Sequence, residues 1–264
     1  MVRGIDHLVI AVRDLAQASD DFAQAGFTVT PGGTHTGGAT RNSLVGFADG
    51  SYLELIAFAE PDREQEHVWW PRFRAGEGTV DMALRSDDVA AEAARLRAAG
   101  VPNSGPIDGG RERPDGRRVG WRNLRPNAPG APLPFVIEDT TPRELRVPSG
   151  EEAVHPLGVG GVAGVVLLAA DLDRAAPAFA ALLGNAGKEV APAAGGTVRA
   201  RRWDLGDSWL EVAEPAPDAA DLRAHVRDKG AGPRLIVLKG DGPVAGELLP
   251  DLTHGARIRV APAG

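Results

Sequence analysis

One acid–imidazole pair and one lone carboxylate stand out within apolar runs of a 264-residue chain with six histidines. The stretch "GIDHLVIAVRDL" (4–15) sets Asp6 and His7 at the head of an apolar run, and "YLELIAF" (52–58) sets Glu54 inside another. A polar group in a buried run is costly without a partner. One imidazole and one carboxylate suit a borderline or hard divalent ion such as Zn, Ni, Mn or Fe. The same two residues also make a core hydrogen bond that needs no ligand. His35 lies in "PGGTHTGGATRN", where glycines let a loop approach a site closely. There it is a ligand, a general base or a substrate contact, or else an exposed loop histidine. Arg41 and Asn42 follow and are placed to orient a carbonyl or carboxylate. Trp69 and Trp70 cluster with His67 and Phe73, and Trp121–Arg122 comes later. These are pocket walls with an arginine for an anionic or carbonyl group, or staples between neighbouring units.

The rest of the chain narrows the class. Hydrophobic residues make up 43% and charged residues 25%, as in ordinary globular proteins. A net charge of −7 argues against a nucleic-acid partner. The basic cluster "RERPDGRR" (111–118) sits among turn residues and reads as a solvated loop. No run of about 18 apolar residues points to a membrane, and "MVRGIDHLVI" enters a strand pattern without a signal peptide, so a cytoplasmic protein is expected. Cysteine is absent, which removes disulfides, thiolate ligands and Cys nucleophiles. "GVGGVAG" (158–164) precedes a strand instead of following one and is not a nucleotide loop. The expected partner is a small molecule, and the chain is expected to be a monomer or a homodimer.

The elements that must position these residues recur. "IDHLVIAVRDLAQASDDFAQAGFTV" returns 74 residues later as "TVDMALRSDDVAAEAARLRAAGVPN", and 157 residues later as "VAGVVLLAADLDRAAPAFAALLGNA". At the second offset "SYLELIAF" also falls on "SWLEVAEP". Each copy reads as strand, acidic N-cap, helix and closing Gly. Asp14 is the first cap, with Gln17 as its capping-box partner. Short strands then follow, giving β-α-β-β-β. "PNSGPIDGGRERPDGRR" leaves the inner strands of the second unit least defined. The tail from Gly232 reads as a degenerate fourth unit of strand, short helix and final strand.

Tandem βαβββ units that open "DHLVIAVRDL" and close "YLELIAF" resemble the vicinal oxygen chelate superfamily, in particular its glyoxalase-like domains. The resemblance is strongest over residues 4–140 and weaker over 156–262. It implies an α+β protein in two paired modules, residues 1–142 with the active site and residues 156–264 degenerate. It further implies a cupped sheet around a divalent metal with ligands on the first and last strands of the units. His7 and Glu54 match those positions. The 74-residue offset puts Asp81 at the place of His7, as a third ligand or a polar residue at a strand start, and puts about Phe135 at the place of Glu54. At the 157-residue offset Gly164 replaces His7 and Glu211 repeats Glu54, so the second module is expected to serve as scaffold. The resemblance implies a small-molecule enzyme with Glu54 and His35 as catalytic residues, performing metal-assisted isomerase, lyase or dioxygenase chemistry on adjacent oxygens. A binding or resistance protein that uses the same cup without chemistry is the alternative. A carboxylate kept for a cation burdens the metal-free fold, so Glu54→Ala is expected to cost little stability.

Overall fold

The computed structural model describes residues 1–262. The first unit holds β1 (Gly4–Ala11), α1 (Leu15–Gln24), β2 (Thr30–His35), β3 (Thr40–Gly46) and β4 (Tyr52–Phe58). A short helix, α2 (Trp70–Arg74), leads to β5 (Gly78–Arg85), α3 (Val89–Ala98), β6 (Asn103–Glu112), β7 (Arg118–Pro126) and β8 (Phe135–Asp139). The third unit holds β9 (Val159–Leu168), α4 (Leu172–Leu183), β10 (Lys188–Val190), β11 (Thr197–Leu205) and β12 (Ser208–Pro215). Then come α5 (Ala220–Lys229), β13 (Gly232–Gly240), β14 (Gly246–Glu247) and β15 (Ile258–Val260).

The repeat offsets hold at the level of hydrogen-bond register. Adding 74 to the bounds of β1 and α1 gives those of β5 and α3. On β4, Tyr52 and Glu54 pair with His7 and Val9 of β1. On β12, Trp209 and Glu211 pair with Gly164 and Val166 of β9, 157 residues on. Aspartates start the helices as expected: Asp14 accepts from the N–H of Ala16 and Gln17, Asp88 from Ala91 and Asp171 from Arg174. Gln17 reaches Asp21 instead of closing a reciprocal capping box.

Units one and two close into an eight-stranded barrel in the order β1-β4-β3-β2-β6-β7-β8-β5. A register shift between Ile5 and His7 acts as a bulge on β1. It lets Ile5, Leu8, Ile10 and Val12 pack into the outer core, while Val9 and Ala11 face the barrel interior. Asp6 and His7 are therefore held clear of the outer hydrophobic layer. Trp70 and Phe73 of α2 plug the interior against Phe58.

Units three and four form an open seven-stranded sheet. The short helix expected in the tail is absent: residues 250–255 are turns, because Pro250 and Gly255 leave room for little more than one turn between them. β6 is the opposite correction, since a segment read as loop-like is a ten-residue strand. One face of β6 meets a polar cavity and the other meets water, so no apolar alternation marks it, and pairing with β7 supplies its order.

Candidate functional site

The barrel interior opens into a cavity of about 340 Å³. At its base runs a chain of polar groups. Asp6 Oδ1 lies 2.7 Å from His7 Nδ1. His7 Nε2 lies 3.6 Å from Glu54 Oε2, and His35 Nε2 lies 3.3 Å from Glu54 Oε1. His35 Nδ1 in turn meets the Thr40 hydroxyl at 2.9 Å. Asn42 donates through Nδ2 to Glu54 Oε1 at 2.6 Å. Glu54 and Asn42 come together because they sit diagonally across the β3–β4 ladder on the inward face.

Burial alone would push the Glu54 carboxyl up. Hydrogen bonding and charge from His35 and His7, with the Asn42 amide, outweigh it and hold the group at about 2. Asp6 is also fully buried, yet Arg146, His7 and Arg143 hold it well below the usual carboxylate range. Arg146 itself is buried and donates to Asp6, Asp139 and the Tyr52 hydroxyl. Tyr52 stacks on the His7 ring with centroids 4.6 Å apart. Burial, then the neighbouring carboxylates, push the Tyr52 phenol up despite Arg146, so it stays protonated.

The walls are aromatic and basic. Trp121 stands edge-on to His35, Phe135 edge-on to His7, and Trp69 against Phe135. Gly109 is required beneath Trp121, since a Cβ there would lie 2.4 Å from the indole Nε1. His67 borders the same cavity; its Nδ1 accepts from the Trp69 N–H, and burial, then Arg125, lower its proton affinity.

His7, His35, Glu54, Trp69 and Trp121 of the sequence candidates border the cavity, and Asn42 reaches it through Glu54. The other four do not. Asp81 is drawn aside by the Trp69 indole and Arg125, at 2.7 and 2.9 Å. Trp70 is buried in the plug behind the wall. Arg41 points to solvent, one residue out of phase with Asn42. Arg122 alternates with Trp121 and lies on the other face of β7, paired with Glu138 at 2.5 Å. Sequence reading missed Tyr52, Arg111, Asn123, Arg125 and Arg146. Strand parity offered a signal for some of them: Trp121, Asn123 and Arg125 share one face of β7. Arg111 was hidden in a cluster read as a solvated loop, whereas it is buried at the end of β6. His155, in the segment before the third unit, is a buried staple that meets Gly46 and Thr28.

The donor set does not fit a resident divalent ion. Val9 pairs with Glu54 and, 74 residues on, Ala83 pairs with Phe135. Phe135 thus stands at the second carboxylate position, and Asp81 is consumed elsewhere. The two imidazoles approach different oxygens of Glu54, His35 Nε2 at Oε1 and His7 Nε2 at Oε2. Among the described residues no group of three or more His, Asp or Glu side chains is placed to hold a cation. In the second module Trp209 fills the space above Gly164, where any Cβ would lie 2.1 Å from the indole, and Arg202 pairs with Glu211 at 2.6 Å.

Residues 5–183 match the family described as Glyoxalase-like domain. The chain belongs to that family, within the vicinal oxygen chelate superfamily. No curated protein matches this glyoxalase-like chain by sequence. Among solved structures it is similar to a hypothetical protein from Staphylococcus aureus, with a TM-score of 0.73 and 15% identity over 97% of this chain and 98% of that one. It is also similar to a mutant of 4-hydroxymandelate synthase from Streptomyces coelicolor, with a TM-score of 0.59 and 14% identity over 92% of this chain and 72% of that one. A fusion of a xylose isomerase-like TIM barrel with 4-hydroxyphenylpyruvate dioxygenase gives a TM-score of 0.58 and 18% identity, over 92% of this chain and 37% of that one. At these identities the likeness is one of fold. No helix among the described residues is long and apolar enough to cross a membrane.

Proposed function

We propose that the first-module cup is the active site of a glyoxalase-like enzyme that moves a proton on a small molecule with adjacent oxygens, in the class of isomerases and lyases. The observation that carries this reading is the buried Glu54 carboxylate flanked by two imidazoles at 3.3 and 3.6 Å on the cavity floor. A carboxylate held at about 2 is too weak a base to take a proton from carbon. Its role is to orient an imidazole and offset the charge that imidazole gains. His35 is the better-placed base, because it is the more exposed of the two rings and meets a mobile hydroxyl proton on Thr40. A C–H proton next to a carbonyl passes to His35, and the electron pair moves onto the carbonyl oxygen. Tyr52 accepts from Arg146 and keeps its own O–H to donate to that oxygen.

The binding-protein reading is favoured by a different observation: both nitrogens of His35 already have partners. The test is deuterium exchange from solvent into the carbon next to the carbonyl of pyruvate, phenylpyruvate and acetoin, followed by NMR in deuterium oxide. Wild type is expected to exchange at least one of them well above the buffer rate. His35→Asn is expected to lower that rate by roughly a hundred- to ten-thousand-fold. Exchange no faster than buffer for all three, or an unaffected His35→Asn, sinks the proton-transfer reading.

A further inference from the structure

We infer that the ligand of the cup is a small organic acid whose carboxylate pairs with Arg111 while its apolar body lies against the Trp121, Trp69 and Phe135 wall. This rests on the reading of the cup as the substrate site, and it adds the substrate's charge. The other arginines near the cavity have carboxylate partners. Arg146 and Arg143 share Asp6 and Asp139. Arg125 has Asp81, Arg122 has Glu138, and Arg113 has Asp115. Arg111 is only 3% exposed, and among the described residues no carboxylate lies within ion-pair distance of it. Its Nη2 donates to the Arg146 carbonyl at 2.8 Å, and its Nε has no partner.

A buried guanidinium cannot shed its proton at ordinary pH, so it is left as an uncompensated charge. Burial lowers its proton affinity, the nearby Tyr52 phenol and Glu54 carboxylate offset that in part, and Arg146 and Arg113 lower it further. Its open side is the cavity it lines. β6 pairs His35 directly with Arg111, so the two share a face. An anion on Arg111 therefore lies beside the imidazole assigned the proton. The sign of the neighbours sets the charge. Glu54 and Asp108 also border the cavity and penalise a dianion more than a monoanion. A carboxylate satisfies Arg111 with the smaller repulsion, and its planar fork matches the guanidinium.

The probes are benzoate, phenylacetate and benzoylformate, each beside its primary amide, with phenyl phosphate as the dianion. Binding is read by calorimetry in the absence of turnover. At least one acid is expected to bind the wild type at least about tenfold more tightly than its amide and more tightly than phenyl phosphate. Arg111→Gln is expected to erase that preference, and His35→Asn is expected to keep it. Removing an unpaired buried charge should not lower the unfolding midpoint, and the apolar Arg111→Met provides a second folded variant. No detectable acid binding, equal binding of acids and amides, tighter binding of phenyl phosphate, or a preference that survives both substitutions overturns the inference. Acid preference with no deuterium exchange would sink the proton-transfer reading and leave the role of Arg111 standing.

Discussion

Glu54→Gln is expected to abolish exchange and to cost the fold stability. The amide cannot carry the negative charge that His35 needs when it takes a proton. It also turns a donor toward an imidazole and leaves Asn42 Nδ2, now 2.6 Å from a carboxylate oxygen, with a neutral acceptor. The structure thus reverses the expectation that this carboxylate is a burden kept for a cation, because it is already partnered on both oxygens. A carboxyl depressed from 4.5 to about 2 contributes stability that is fully present above pH 4.5 and is lost as pH falls toward 2. The upper bound is on the order of 3 kcal/mol. The wild-type advantage over Glu54→Gln, followed by urea unfolding, should accordingly shrink between pH 4.5 and 2. A constant gap across that range, or a variant that still catalyses exchange, contradicts the role given to Glu54.

Arg146→Ala is expected to give the largest loss of stability. Asp6 has no exposed surface, and Arg146 reaches both of its oxygens at 2.8 and 3.0 Å. Arg143 would remain as the only arginine partner of a carboxylate shared with His7. Removing one member of a buried pair costs about 3–5 kcal/mol, because the other charge stays buried. Asp6→Asn combined with Arg146→Met should recover part of that loss, since neither charge is then stranded. A single Arg146→Ala within about 1 kcal/mol of wild type would place the Asp6 charge elsewhere than in this pair. Arg146 and Arg143 come from the segment between the modules, so that segment is part of the site and not only a connector.

How much was legible follows from which signals are local. Helix starts at Asp14, Asp88 and Asp171 depend on a few neighbouring residues, and they were read correctly. The three copies agree in register because the same alternation recurs at fixed offsets. His7 and Glu54 were found because each interrupts an apolar run. Arg111 and Arg125 were not, because polar strands facing a polar cavity look like loops when read along the chain. Arg122 stands out beside Trp121 in the sequence, but a neighbour on a strand faces the opposite way, and Arg125 is the arginine on the face of Trp121. Asp81 had the right position for a ligand but the wrong company. Only the packing of Trp69 and Arg125 reveals that its oxygens are taken. The closed barrel itself depends on β2 meeting β6 over two residue pairs, and no local pattern announces that contact.

Proton transfer by the imidazole–carboxylate pair needs no resident metal ion. The most direct measurement is the deuterium-exchange rate of protein purified without added metal and dialysed against EDTA. An unchanged rate after chelation, abolished by Glu54→Gln, is the predicted result. A rate lost on chelation and restored by stoichiometric Zn, Ni, Mn or Fe would contradict the account.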